Sequence, residues 1–159
     1  MNWIVENYDN LYRDFPKTFM FLKNNILERH ITKEEFDKIC NNKIYTPLLT
    51  QNHKVDGVIN YYKDGLYYER NDYWYTNHFK IKDKKSFENL VSLLGVKDDK
   101  YLGFAPGACY IIPVDNIRKW PKWFYEELRD AVAYTQLPAE AHLIERCMHK
   151  IFNSDGIKK

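Results

Sequence analysis

Cysteine is scarce in this chain of 159 residues: there are three, at positions 40, 109 and 147, with no Cys-x-x-Cys spacing. An odd set so placed argues against a disulfide framework or a zinc knuckle and makes a reducing compartment the expected setting. Glycine and proline are sparing too, six of each, spread as turn punctuation rather than gathered into a linker. With no internal repeat and no low-complexity segment, one compact domain over residues 1–159 is expected. Long hydrophobic runs are missing, so nothing reaches the roughly 18 apolar residues of a membrane-spanning helix. Met1 leads straight into Asn2, Trp3 and a charged amphipathic stretch without an apolar signal segment, so a cytoplasmic protein is the expectation. An excess of one charge is absent as well: 24 Lys plus Arg stand against 22 Asp plus Glu, which gives nucleic acid no electrostatic footprint.

What the chain has in plenty is aromatic side chains: 4 Trp, 13 Tyr and 9 Phe, more than a core of this size needs. Each buries about 150–250 Å², so a few dominate a small core and the surplus is expected to line a groove, a surface or an interface. The densest run lies between Tyr61 and Phe79 and holds Tyr62, Tyr67, Tyr68, Tyr73, Trp74 and Tyr75.

Periodicity supplies the elements. Trp3, Ile4, Tyr8, Leu11 and Tyr12 share a helical stripe over residues 3–14, closed by Phe15-Pro16. Lys17 to Lys23 is short and apolar, as a buried strand is. Thr32 followed by Glu35 is a capping box that opens a helix to about Cys40. Asp64-Gly65 between two tyrosine pairs is a hairpin signal. Ser86 to Leu94 reads as a helix stopped by Gly95. The segment from Gly103 to Pro113 reads as a turn feeding a buried strand, and Asp115 to Trp120 as a short turn. Two further helices start near Pro121 and at Pro138, the second with Glu140 in its first turn, where the helix dipole favours a carboxylate. The fold class that follows is α/β, a small mixed sheet flanked by helices.

In the last helix, Leu143, Ile144, Cys147, Met148, Ile151 and Phe152 occupy one arc and His142, Glu145, Arg146 and His149 the other. The polar arc reads first as a solvated face with local ion pairs. His142, Glu145 and His149 also have the spacing to converge on one ligand, although not in the order of a His-Glu-x-x-His metal motif. Cys109 sits in an apolar strand pattern and reads as a buried thiol rather than a nucleophile. Pro106-Gly107 is a turn pair, and the small residues around Gly107 would let a ligand approach closely.

These residues carry a family resemblance. Phe104-Ala-Pro-Gly-Ala-Cys-Tyr-Ile-Ile-Pro-Val-Asp-Asn-Ile117, Pro121-Lys-Trp-Phe-Tyr-Glu-Glu-Leu128, Glu140-Ala-His-Leu-Ile-Glu-Arg146 and Ile151-Phe152 resemble the C-terminal pattern of a large family catalogued as domain of unknown function 3431. Its members look like glycosyltransferases of the GT-A class. Ile4-Val-Glu-Asn-Tyr-Asp-Asn-Leu11, Phe19-Met-Phe-Leu22 and His30 resemble its middle portion, and the matched blocks keep their order. The resemblance implies a shortened GT-A fold and transfer of a sugar from a sugar nucleotide to a surface or capsule glycan. Glu145 or Glu140 would be the base and Arg146 the cation facing the leaving diphosphate. His30, Gly107, His142 and His149 would contact substrate, with Tyr68 and Trp74 in an acceptor platform.

The departures weigh on the chemistry. Relatives carry a further half-domain before the Asn-Tyr-Asp block, which in GT-A folds holds the nucleotide. An Asp-x-Asp pair to hold Mg²⁺ or Mn²⁺ is missing, Asp98 and Asp99 being adjacent. Trp120, Met148 and Lys23-Asn24 replace the family's Arg, Trp and Gln-Gly. A second expectation therefore stands beside the first: a noncatalytic relative that binds glycan or protein through segment 61–79, with a homo-oligomer interface as one form of it.

Overall fold

A computed structural model of the chain describes residues 1–153. Asp64 and Gly65 both take positive φ, 51° and 74°, the backbone a tight hairpin turn demands. They join β3 (Asn60–Lys63) to β4 (Leu66–Arg70), which sets Tyr61 opposite Tyr68 and Tyr62 opposite Tyr67. β5 (Tyr101–Phe104) pairs with the other side of β4, with Tyr68 opposite Gly103. A second sheet has β6 (Tyr110–Pro113) at its centre, with β1 (Thr18–Phe21) on one side and β2 (Thr46–Pro47) on the other.

The α/β class stands, in one compact domain. Where a small mixed sheet was expected, the strands form two three-stranded sheets, antiparallel at every pairing. The dividing point is the short turn between β5 and β6. Gly107 and Ala108, with φ of 86° and 56°, carry the chain there from one sheet to the other, so neighbouring strands in sequence do not become neighbours in a sheet.

The helices follow their caps. α1 covers only Asn2–Asn7 and a 3-10 turn, Tyr8–Asn10, follows it. The expected stripe over 3–14 stops early where Asn7, Asp9 and Asn10 compete with the helix for backbone hydrogen bonds: the Asn7 amide donates to the Trp3 carbonyl at 2.8 Å. α2 (Lys33–Ile39) is capped by the Thr32 hydroxyl, which accepts from the Glu35 N–H. α3 (Lys84–Leu94) starts two residues ahead of Ser86, because Asp83 is its cap, and ends at Gly95 in the left-handed region. α4 (Val114–Arg118) takes up part of the stretch read as a turn. α5 (Lys122–Val132) and α6 (Ala139–Asn153) fall where expected.

The main core gathers Leu143, Cys147, Ile151 and Phe152 of α6 with Phe124 and Leu128 of α5, Leu90 and Val91 of α3, and Leu102 of β5. A smaller core sets Ile26, Ile31 and Leu48 against Cys109 and Ile111. Part of the aromatic surplus goes inside. Tyr75, Tyr110 and Tyr125 are among the largest fully buried side chains, and Tyr75 belongs to the segment expected at the surface.

The expected solvated face of α6 is corrected. β5, α3, α4 and α5 all lie against this helix; of the polar arc, Arg146 is buried at 8% exposure and His142, Glu145 and His149 are half-buried. A helix packed on so many sides keeps its polar arc from being a fully solvated face, so a buried charge such as Arg146 must find a partner within the protein.

Candidate functional site

The turn between the sheets is the centre of the candidate site. The Gly107 N–H donates to Glu145 Oε1 at 2.6 Å, which ties the turn to the middle of α6. On its other side lies the His30 ring: a Cβ built on Gly107 would come 3.0 Å from His30 Nε2. Positive φ and this close ring together require glycine here. The sequence thus brings Gly107, Glu145 and His30 together.

His30 is 4% exposed, a buried imidazole rather than a surface one. The His30 N–H donates to the Ile26 carbonyl at 2.9 Å, closing a tight loop that turns the side chain inward. Neither ring nitrogen has a hydrogen-bond partner. Burial, and then the charges of Arg29, His53 and Lys23, hold this imidazole below its ordinary pKa, with Glu145 acting in the opposite direction.

Arg146 points elsewhere, as neighbouring residues on a helix do. Its Nε donates to Glu69 Oε2 at 2.5 Å and a terminal nitrogen to the His142 carbonyl at 3.1 Å. Its guanidinium carbon lies 5.1 Å from the Tyr75 and Phe104 ring centres and 5.4 Å from that of Trp74. The cation is therefore neutralised by one carboxylate and enclosed by three π faces. His142 packs on Phe79 at 4.2 Å and on Tyr75 at 5.8 Å. Burial lowers its pKa first, and the Arg146 charge adds to the effect.

Other expected site residues lie apart from this centre. The Glu140 carboxylate accepts from the Lys82 N–H at 3.0 Å and from the Tyr134 hydroxyl at 2.7 Å, fixing the start of α6. His149 bonds the Tyr45 hydroxyl through Nδ1 at 2.9 Å. Tyr68 belongs to the opposite face of its sheet, stacked on Tyr61 with 3° between the planes. Cys109 is buried, and burial pushes its thiol pKa up, as expected of a packed strand residue. Among the described residues no group of three or more His, Cys, Asp or Glu could hold a metal ion.

Sequence reasoning missed Glu69 and His53, and it had Tyr67 only as one of the aromatic run from Tyr61 to Phe79. Glu69 shares a strand face with Tyr67, and a carboxylate on an inward face calls for a cation; that was the available signal. His53 left none. Glu145 has one further feature: it lines a cavity of about 520 Å³ with Ala108, Arg129, Ile144 and Met148.

No family model, curated protein or solved structure matches this chain. No helix among the described residues is long and apolar enough to cross a membrane.

Proposed function

We propose that the chain is a glycosyltransferase-like protein that binds carbohydrate on the tyrosine-bearing face of the β3-β4-β5 sheet. The observation that carries this reading is the placing of Tyr61, Tyr68 and Tyr101. Strand alternation puts them on the face opposite Glu69 and Phe104, away from Arg146, and all three are half-buried. Tyr61 and Tyr68 stack at 5.1 Å, and Tyr101 meets Tyr61 edge-on at 5.2 Å. The negative faces of such rings attract the polarised C–H bonds of a pyranose, and the neighbouring hydroxyls accept and donate hydrogen bonds.

The residues that the resemblance offers for chemistry are engaged inside the fold. Arg146 would have to leave Glu69 to meet a diphosphate, and Glu145 holds the Gly107 N–H. Sugar transfer from a sugar nucleotide, with Glu145 as base, is a second reading, favoured by the position of Glu145 on the wall of the 520 Å³ cavity.

Calorimetry with a panel of oligosaccharides and with common sugar nucleotides, with and without Mn²⁺, tests both. Oligosaccharide binding that Tyr61→Ala and Tyr68→Ala abolish is the result expected. Binding of a sugar nucleotide that Glu145→Gln weakens would favour transfer instead. Binding of neither class overturns both readings, and concentration-dependent self-association lost in Tyr61→Ala would make the face a homo-oligomer interface.

A further inference from the structure

Three buried ring nitrogens gather at one place without a hydrogen-bond partner: Nδ1 and Nε2 of His30 and Nε2 of His53. Protein interiors pair nearly all their polar atoms, so such a set calls for a ligand or an internal water. The two rings lie 5.8 Å apart with 40° between their planes. His30 forms the floor, against Gly107. His53 is half-buried at the rim, within an otherwise exposed stretch from Gln51 to Val55. Its backbone N–H donates to the Tyr62 hydroxyl at 2.8 Å, and the Tyr67 ring stands 5.7 Å from its own. A file of aromatic rings thus runs from Tyr62 through Tyr67 and His53 to His30, with Glu145 beyond the turn.

The chemistry of the floor narrows what fits. Burial and the charge of Arg29 favour the neutral form of both imidazoles. A neutral imidazole presents one donor and one acceptor. An anion supplies acceptors alone and leaves the ring lone pairs unanswered. A metal ion needs more ligands than two imidazoles, and no third His, Cys, Asp or Glu completes a set among the described residues. A hydroxyl group both donates and accepts, and two on adjacent carbons match a pair of rings.

We propose that His30 and His53 form a binding site for the vicinal hydroxyl groups of a sugar, entered past Tyr62 and Tyr67. The covered nitrogens require the half-buried His53 ring to turn outward as the sugar enters. This inference rests on the carbohydrate reading and adds a second contact point to it, on the inner face of the same sheet that carries Tyr61 and Tyr68 outside.

The test is a side-chain ¹H–¹⁵N spectrum of the full chain at neutral pH, titrated separately with the methyl glycosides of glucose, galactose and mannose, with inorganic phosphate and with Zn²⁺. The expected result is a saturable shift of both the His30 and His53 resonances with at least one glycoside. His53→Phe, which keeps the ring volume at a half-buried position, should weaken that binding at least tenfold with an unchanged unfolding midpoint. Response to phosphate alone or to Zn²⁺ alone overturns the proposal and makes that ion the partner; response to none of the probes overturns it too and leaves an internal water there. Oligosaccharide binding that survives His53→Phe but not Tyr61→Ala removes this site and keeps the sheet-face reading; oligosaccharide binding lost in neither variant removes both.

Discussion

Glu145 accepts the backbone N–H of Gly107 at 2.6 Å, so the middle of α6 holds the turn that passes the chain between the two sheets. The same turn presses on His30 from the other side. One carboxylate therefore fixes both the relation of the sheets and the floor of the proposed sugar site.

Replacing Gly107 by Ala is expected to destabilise the protein by about 1–3 kcal/mol, because a side chain there sits at unfavourable positive φ and crowds His30. Glu145→Ala removes a charge-assisted bond to the turn and should cost about 1.5–3 kcal/mol, with Glu145→Gln milder because an amide oxygen still accepts. Urea unfolding of the three variants checks the order. A Gly107→Ala protein as stable as the parent would mean that the turn adapts freely.

The Arg146–Glu69 pair is almost enclosed, with side-chain exposures of 9% and 14%. Taking away one partner strands the other charge, so Arg146→Met and Glu69→Leu should each lower stability by about 3–5 kcal/mol. Both changes together leave no stranded charge and should cost clearly less than the sum. A double-mutant cycle on unfolding free energies measures the coupling. Simple additivity would show that the surrounding Trp74, Tyr75 and Phe104 rings, not the ion pair, hold Arg146.

This pair also marks the limit of what the sequence could say. Turns, caps and stops were legible because they are written in adjacent residues: Asp64-Gly65, Thr32 with Glu35, Gly95, Pro138. The apolar arc of α6 was legible from its period. Glu69 and Arg146 are 77 positions apart, and no local pattern says that a polar helix arc will be covered by a strand. A helix face with His, Glu and Arg defaults to solvent until the packing of β5 and its sheet against it is known. The burial of His30 was hidden for the same reason, being decided by the turn at Gly107. The division into two sheets was hidden too, since each strand alone has the same alternation in either arrangement.

The buried histidines set a pH dependence. Burial lowers the pKa of His30, His53, His142 and His149 from the ordinary value of 6.5. Below that value the unfolded chain takes up protons that the folded one refuses, so the stabilisation is full above pH 6.5 and is lost as the pH falls toward the depressed folded values. Each histidine contributes a slope of at most about 1.4 kcal/mol per pH unit. Thermal unfolding followed between neutral and mildly acid pH should show a falling midpoint, with a shallower fall in His149→Phe. A flat profile would mean that these imidazoles titrate as they do in the unfolded chain.

The outer face of the hairpin sheet offers the last prediction. A Cβ on Gly103 would lie 2.6 Å from the Tyr68 ring, which is stacked on Tyr61. Tyr68 covers the glycine of the neighbouring strand, as aromatic rings do where a strand glycine lacks a side chain. Gly103→Ala must push the ring away and break the stack, so it should destabilise the protein by about 1 kcal/mol or more. In a Tyr68→Ala background the collision is gone, and the same substitution should be neutral or stabilising, since alanine lowers the chain entropy of the unfolded state. Unfolding midpoints of the four proteins in the cycle decide it. If Gly103→Ala costs as much without Tyr68 as with it, the glycine is there for its backbone, and the Tyr68 ring is not held by close contact with the strand beneath it.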